Sequence, residues 1–420
     1  MFEQGVPVSN TEEIRDQILA TIEQRQQQLL SLSHGISSHP ELAFEEYWAS
    51  SAVAELLENA GFAVQRAAYG LPTALEAVYG QGEFTVAVVG EYDALPEIGH
   101  GCGHNIIATA GVGAALALKP VADRLGLRIK FLGTPAEEIG GGKILMLQQG
   151  AWDDVDFSLM VHGNTGTQYR CLSQGTQAYE LLDVTYTGRT AHAAAAPHEG
   201  INAGSAVTLA QVAFGLLRQQ LKSNVVVSSF VVSGGTATNV IPGEAKLQVE
   251  IRATQSSDWE DARQRVRACL EGAAIATGCQ LSVVQPELPY EPMRQDPALA
   301  QYWDQNLERL GYQISGEQPP TGGSTDMGNI SQYLPAIHPM LAVRNSDAVM
   351  HTSGFARDAA STDGDEAALN GARALALTVA DVANDPELVQ RLRAAREQRP
   401  SAKLSNRSRD AVPAHVGSPA

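Results

Sequence analysis

The stretch FTVAVVGEYDALPEIGHGCGHN, residues 84–105, decides the fold class of this 420-residue chain. It opens with an apolar run at 84–89 that predicts a strand, and the hydrophobicity of this run is continuous rather than alternating. Such a strand is buried on both faces, as in a parallel sheet that helices cover on both sides. Asp93, Cys102 and His104 follow the strand at its carboxyl end, where parallel α/β sheets place their binding sites.

The chain repeats this pattern of a strand followed by a helix. Apolar runs at 127–132 and 157–161 predict two further buried strands, and helical segments at 106–118 and 143–149 separate the strands. Alternation of this kind is typical of an α/β fold with a mainly parallel sheet. We therefore expect the carboxyl ends of these strands to lie at one edge of the sheet.

Chemically reactive side chains follow each of these strands, and a further cluster follows a short apolar run at 339–343. The clusters supply a thiol, imidazoles and paired carboxylates, a mixture of soft and hard ligands that suits zinc, manganese or a similar divalent ion. Each cluster alone has an ordinary explanation, such as a buried thiol or a solvated helix start, but their shared position favours a metal site. The four clusters contain Glu91, Asp93, Cys102, His104, Glu137, Glu138, His162 and His351.

The adjacent pair Glu137 and Glu138 can divide two tasks between its members. In extended or turning backbone, neighbouring side chains point apart, so one carboxylate can bind a metal while the other faces a water molecule. A metal lowers the pKa of water, and a carboxylate beside it can take the proton and pass it to a leaving amine. The pattern therefore predicts metal-assisted hydrolysis.

A second domain begins at about residue 179, where the pattern changes to half-exposed strands and amphipathic helices. The order strand, helix, strand, strand, helix, strand predicts a compact α+β unit of roughly a hundred residues. The last residues combine Pro, Ser, Arg and Asn with little apolar content, which predicts a disordered tail. These changes in pattern predict a separate α+β domain at 179–291 and a tail at 397–420.

Composition limits the classes of partner. The chain has 29 Lys and Arg against 47 Asp and Glu, a formal charge of −18, and no basic run, which argues against nucleic acid and anionic membranes. Its 4 cysteines are too few for a disulfide framework, and residues 1–30 lack the pattern of an export signal, so we expect a cytoplasmic protein. No uncharged apolar run approaches the roughly 20 residues that a membrane helix needs.

Several motifs resemble those of the M20 family of metallo-amidohydrolases and peptidases, in the branch where a cysteine replaces the usual bridging aspartate. They follow the family order along most of the chain. The subgroup that they resemble contains aminobenzoyl-glutamate hydrolase subunits and M20-domain dipeptidases of the β-alanyl-lysine type. The matching segments are SHPEL at 38–42, EYDALP at 91–96, HGCGHN at 100–105, TPAEE at 134–138, HG at 162–163, HA at 192–193, GTATNVIP at 235–242, GSTDMGN at 323–329 and HT at 351–352.

The resemblance implies a zinc-peptidase-like catalytic domain in two parts, at 1–178 and 292–396, with a ferredoxin-like lid and dimerisation domain inserted at 179–291. It also implies two divalent ions (zinc or manganese) and a homodimer. It implies Glu137 as the general base and then acid, and Asp93 as the carboxylate that orients a ligand. His192 would reach from a partner subunit to stabilise the oxyanion, and Asn239 and Arg252 would hold the free carboxylate of a small-molecule substrate. The implied metal ligands are Cys102, which bridges both ions, His104, Glu138, His162 and His351.

Three other interpretations remain. A cysteine hydrolase would use Cys102 as the nucleophile and His104 as the base, although residues two apart are poorly placed for that pair. A nucleotide site would use Gly111 and Gly113, but these glycines lie within a predicted helix rather than at a strand-to-helix turn. A non-catalytic metal-binding scaffold or regulatory subunit would lack a ligand or the base, and here all of these positions are filled.

Overall fold

The chain forms two compact units in the computed structural model, which describes residues 10–319 and 322–402. Within these residues, the first unit contains everything up to residue 175 together with 293–319 and 325–402. The second unit contains 176–292 and 322–324.

The helices and strands of the described residues alternate along most of the chain, and none of these helices is both long enough and apolar enough to cross a membrane. In chain order the elements are α1 (Asn10–Ser38), α2 (Tyr47–Asn59), β1 (Ala63–Arg66), β2 (Leu75–Tyr79), β3 (Phe84–Glu91), α3 (His104–Leu118), β4 (Leu127–Thr134), α4 (Gly142–Gln148), β5 (Phe157–Leu159), β6 (His162–Thr165), β7 (Ala178–Thr187), α5 (Ala203–Arg218), β8 (Val225–Ser233), β9 (Glu244–Ala253), α6 (Ser256–Thr277), β10 (Gln280–Val284), α7 (Pro297–Arg309), α8 (Met327–Tyr333), β11 (Ala336–Ile337), β12 (Met340–Val343), α9 (Ser353–Ala359), α10 (Thr362–Ala383) and α11 (Pro386–Gln398).

The described part of the first unit contains a 6-stranded sheet in the order β1-β2-β4-β3-β5-β11. Strand β3 pairs in parallel with β4 and β5, and β5 pairs in parallel with β11, while β1 and β2 form an antiparallel edge. Strands β6 and β12 form a separate parallel pair. The predicted α/β fold with a mainly parallel sheet is confirmed. The carboxyl ends of β3 and β4 lie side by side, with Glu91 opposite Thr134.

Helix α3 lies at the centre of the first unit, and all of its residues are buried. A Cβ on Gly111 would lie 2.8 Å from the carbonyl oxygen of Val89, and a Cβ on Gly113 would lie 2.7 Å from the Cβ of Ala372. Glycine at these positions therefore lets α3 pack closely against β3 and α10. Both glycines serve helix packing, and they lie inside α3 rather than at the helix start where a phosphate would bind.

The second unit is an α+β domain with the element order β7, α5, β8, β9, α6 and β10. Its strands form an antiparallel sheet in the order β10-β7-β9-β8. Apolar residues of α5 and α6 pack with the alternately buried side chains of the strands in one core. This arrangement confirms the predicted ferredoxin-like domain.

Helix α11 continues to Gln398, beyond the predicted start of the tail at 397. The next residue, Arg399, donates a hydrogen bond of 2.6 Å to the carbonyl oxygen of Val155. Such contacts are made by charged side chains, so the low apolar content of the segment does not reveal them. Residues 403–420 of the predicted tail lie outside the described residues.

Candidate metal centre

A thiol and two imidazoles meet beyond the carboxyl ends of the parallel strands. Cys102 lies in the loop between β3 and α3, and its Sγ is 3.3 Å from His162 Nε2 and 3.2 Å from His351 Nε2. His162 is the first residue of β6, and His351 lies just before α9. The backbone N–H of His351 donates to the carbonyl oxygen of Gly101 at 2.8 Å, which holds its loop against the cysteine loop.

Two groups of candidate metal ligands share Cys102. One group contains His104 and His162, the other contains Glu138 and His351, and the ligand atoms of each group lie within 4.8 Å of one another. His104 Nε2 and Glu138 Oε1 are buried and have no hydrogen-bond partner among the described residues. A buried polar atom without a partner is costly unless a ligand satisfies it. Thiolate, imidazole and carboxylate groups in this arrangement fit divalent transition metals.

Asp93 connects one of these histidines to the loop that carries the glutamates. Its carbonyl oxygen lies 2.7 Å and its Oδ1 lies 3.1 Å from Nδ1 of His104, and its Oδ2 accepts a hydrogen bond of 3.0 Å from the backbone N–H of Glu138. Because Nδ1 of His104 faces oxygen atoms, the neutral form of the ring carries its proton there, and its Nε2 then has a lone pair that could bind a metal. This is the geometry by which a carboxylate orients a metal ligand.

The loop after β4 turns at Ala136, whose φ of +59° lies in the left-handed region. Glu137 Oε2 and Glu138 Oε1 both lie 3.9 Å from His104 Nε2. Burial raises the pKa of Glu137 well above its usual value, and the carboxylate of Glu91 is the strongest of several neighbours that raise it further. Glu137 therefore binds a proton readily, as a general base must.

A buried ion cluster lies next to these glutamates, and the sequence alone assigned it no role. Lys143 forms ion pairs with Glu91 and with Asp326, the latter at 2.7 Å, and all three side chains are fully buried. Burial disfavours the charged form of Lys143, but Asp326 and Glu91 raise its pKa, so it stays protonated. Glu91 also lies 3.6 Å from His104 Nε2. In the sequence, the sign of this cluster is a lysine, Lys143, that follows three glycines. The fold is needed to identify Asp326 as its partner.

His338 is a further buried histidine, to which the sequence alone assigns no role. Its ring lies edge-on to that of His162, with the centroids 5.6 Å apart. Burial lowers the pKa of His338 to about 3, so the ring is neutral at physiological pH. It belongs to none of the candidate ligand groups found in the described residues.

The position of Cys102 disfavours its use as a nucleophile. The residue is 6% exposed, and burial raises the pKa of its thiol well above the usual value. Catalytic cysteines have lowered pKa values and accessible thiolates. A buried thiolate needs an adjacent cation, and a bound metal ion would supply that charge.

His192 and Asn239 belong to the second unit, where they lie on neighbouring backbone segments. The N–H of Ala193 donates to the carbonyl oxygen of Asn239 at 2.9 Å. The backbone N–H groups of Ala194 and Ala195 donate to His192 Nδ1 at 3.2 Å and 3.1 Å. Because Nδ1 is an acceptor, the neutral ring of His192 carries its proton on Nε2.

Arg252 in β9, the remaining predicted residue of the second unit, already has partners in the structure. Its guanidinium pairs with Glu250 at 2.7 Å, donates to Ser324 Oγ at 3.3 Å and lies over the ring of Tyr179. The side chain of Arg252 is 27% exposed. A substrate carboxylate that binds to Arg252 must therefore share it with Glu250.

The chain is similar to known peptidases and amide hydrolases. Residues 181–277 match the M20 peptidase dimerisation domain. The chain is 35% identical to Xaa-Arg dipeptidase of Mus musculus over 390 residues, or 89% of each chain. It is also 35% identical to one of the subunits of p-aminobenzoyl-glutamate hydrolase from Escherichia coli K12, over 61% of this chain and 57% of that one.

The fold is similar to that of a solved dinuclear metal-binding M20 peptidase from Bacillus subtilis, with a TM-score of 0.67 at 21% identity over 86% of this chain and 99% of that one. The sequence relatives cover most of the chain, and the dimerisation domain lies where the second unit does. On these grounds the chain belongs to the M20 family of metal-dependent peptidases and amidohydrolases.

Proposed function

We propose that this M20 enzyme hydrolyses the amide bond of an N-acyl amino acid or a dipeptide-like substrate with a free carboxylate. The observation that carries the proposal is the pair of ligand groups that share Cys102, beside the buried carboxyl of Glu137. The names of the relatives, a dipeptidase and an aminobenzoyl-glutamate hydrolase, support the same class of bond.

The two ligand groups fit two divalent metal ions, which we propose to be zinc or manganese, and Cys102 would be a ligand common to both. His104 and His162 would hold one ion, and Glu138 and His351 the other. When bound, a metal ion lowers the pKa of a water molecule and polarises the scissile carbonyl. Because Cys102 must stay reduced to bind, a reducing compartment such as the cytoplasm fits this site.

Glu137 is proposed to move the proton of the reaction. It belongs to neither group that shares Cys102. A third candidate group joins it to Glu91 and His104, but there the ammonium of Lys143 already pairs with Glu91 and disfavours a second cation. Glu137 takes a proton from the attacking water and then donates it to the leaving nitrogen, which departs as a neutral amine. Its burial strengthens the electrostatic interactions within the site.

His192 is proposed to stabilise the negative charge that develops on the carbonyl oxygen. Its Nδ1 accepts two backbone hydrogen bonds, so its Nε2–H is the ring donor that can be directed at that oxygen. The family resemblance assigns this contact to the histidine of a partner subunit.

Arg252 and Asn239 are proposed to bind the substrate carboxylate. Conversion of that carboxylate to a carboxamide is expected to lower kcat/KM by about 10- to 100-fold, because a hydrogen bond to a charged group contributes about 1.5–3 kcal/mol. The assay first compares N-acyl amino acids, β-alanyl and ordinary dipeptides, carbamoyl amino acids and aminobenzoyl-glutamate with added zinc or manganese. The carboxamide of the best substrate is then compared with its parent.

The variant Arg252→Met tests whether Arg252 distinguishes the carboxylate substrate from its carboxamide. We expect it to lose most of the preference for the carboxylate substrate, while Arg265→Met, which changes a surface arginine on α6, keeps it. If Arg252→Met kept the full preference for the carboxylate substrate over the carboxamide, Arg252 would not be the residue that binds the carboxylate.

The second unit is proposed to form a homodimer. It matches a peptidase dimerisation domain, and it exposes apolar side chains on α5 and on β8, which is an edge strand of the sheet. Exposed apolar residues along an edge strand form a surface suited to pairing with another chain. These residues are Leu209, Val212 and Leu216 on α5 and Val226, Phe230, Val231 and Val232 on β8.

The double substitution Val212→Glu and Leu216→Glu is expected to raise the Kd of the dimer by about 100-fold or more, because unpaired charges in a buried interface cost several kcal/mol. Sedimentation equilibrium measures the change. Ile275→Glu is the matched control, since Ile275 is an apolar residue on α6 that is 82% exposed. An unchanged dimer mass in the double variant would exclude this surface as the interface.

A further inference from the structure

Glu46 is a buried carboxylate that contacts the loop carrying the catalytic glutamates. It immediately precedes α2 and is fully buried. Its Oε1 accepts hydrogen bonds from the backbone N–H groups of Ala136 at 2.9 Å and Phe44 at 3.0 Å. Its Oε2 accepts a hydrogen bond from Thr73 Oγ1 at 2.6 Å. These donors are uncharged, so the carboxylate is held by hydrogen bonds alone in these contacts.

The contact with Ala136 falls at the strained point of this loop. With a φ of +59°, Ala136 occupies a region that costs a residue with a side chain about 1–3 kcal/mol unless its surroundings hold it there. Its N–H is held by Glu46, and its carbonyl oxygen accepts hydrogen bonds from Gly141 at 3.0 Å and Gly142 at 3.3 Å. The peptide groups on both sides of Ala136 are thus fixed directly before Glu137.

We propose that Glu46 is a positioning residue of this enzyme, whose carboxylate holds Ala136 in the left-handed conformation that directs Glu137 and Glu138 to the metal centre. The proposal rests on the proposed function, in which Glu137 is the base and Glu138 a metal ligand. It adds a residue that is 90 positions away in sequence from the loop that it holds.

A purely structural role explains Glu46 less well. Burial raises its pKa to about 7, because the charged form is poorly solvated in the interior. An apolar side chain would avoid this cost but would leave the N–H groups of Ala136 and Phe44 without their acceptor. The carboxylate is instead matched to the donors around it, and one of them is the backbone of the catalytic loop.

The variant Glu46→Met tests the proposal because it keeps a side chain of similar length and removes both acceptors. We expect kcat to fall by about 10- to 100-fold with KM within about twofold, since small displacements of catalytic groups and their supports have effects of this size. Titration of the metal-free protein with zinc should show about 10-fold weaker binding of one equivalent, because Glu138 is displaced. Glu46→Gln keeps an acceptor for Ala136 and is expected to restore kcat to within about threefold.

Asp156→Leu is the matched control. Asp156 is also fully buried and accepts a backbone hydrogen bond, from Thr85 at 2.7 Å, but Thr85 lies at the amino end of β3, away from the glutamates. This variant should lower the thermal unfolding temperature while its kcat and zinc binding stay at wild-type values. If Glu46→Met does not fold, Glu46→Asp is used, since the shorter side chain withdraws the acceptor from Ala136 and retains the charge.

Wild-type kcat and zinc affinity in the folded Glu46 variant would overturn the proposal. Equal losses of kcat in the Glu46 variant and in Asp156→Leu would also overturn it, because the effect would then be one of general stability. The zinc titration does not depend on turnover. A wild-type protein that binds zinc but hydrolyses no amide would therefore refute the proposed function. The positioning role would then be decided by whether the Glu46 variant binds zinc more weakly than the wild-type protein.

Discussion

Substitution of Glu137 by Gln is expected to lower kcat by about 1,000-fold, within the range that general acid–base groups contribute. The amide has nearly the same shape as the carboxylate but cannot accept a proton from water or return one to the leaving nitrogen. Metal content should stay at the wild-type value, because this variant keeps every ligand of the two groups that share Cys102. Steady-state kinetics with the best substrate and elemental analysis of the purified variant measure the two quantities.

Glu138→Gln is the natural comparison for this variant, since the two glutamates are neighbours and both are almost buried. It is expected to lose about one equivalent of metal as well as turnover, because a neutral amide is a weaker ligand than a carboxylate. Wild-type turnover in Glu137→Gln would contradict the mechanism. A group other than Glu137 would then have to act as the base.

Removal of metal by a chelator is expected to reduce turnover by at least about 1,000-fold, because the water then loses its activation and the carbonyl its polarisation. Addition of zinc or manganese should restore it. Cys102→Ala should bind neither ion tightly, since Cys102 belongs to both ligand groups. His162→Ala and His351→Ala should each weaken binding of one ion. Isothermal titration of the metal-free proteins with zinc distinguishes these cases.

Cys171→Ala is the control for the loss of a buried thiol. Cys171 is also buried and free, but it lies outside the candidate ligand groups of the described residues, so the variant should bind metal and turn over normally. A cysteine hydrolase would behave in the opposite way, with turnover that survives chelation and disappears on alkylation of Cys102. That result would replace the metal mechanism with nucleophilic catalysis.

Periodicity explains why the fold was predictable. The continuous apolar run at 84–89 indicated a strand buried on both faces, and the structure places β3 between β4 and β5 in the parallel part of the sheet. The change in pattern near residue 179 likewise indicated the α+β domain. These signals are local, because the period of burial along each element depends only on its own geometry.

The candidate site was predictable to the extent that its residues follow strands. Parallel strands end at a common edge, so Cys102, Glu138 and His162 could be expected to converge, and the structure places them in groups with ligand atoms within 4.8 Å. Their roles as ligands stay a prediction. The buried cluster of Lys143 and Asp326 was not predictable, because its members are 183 residues apart and no local pattern connects them.

The sequence by itself determined the two kinds of domain, the family and the set of residues that gathers at the carboxyl edge of the sheet. The domains and the gathering of these residues could be predicted because periodicity is local and the order of strands and helices follows general rules, whereas the family was identified from the motifs that the sequence resembles. Only the tertiary structure decided how the ligands divide into two groups around Cys102, and that Glu46 holds Ala136. The contacts of Cys102 with His162 and His351 join residues 60 and 249 positions apart, and the contact of Glu46 with Ala136 joins residues 90 positions apart. Packing between such distant residues depends on the whole fold.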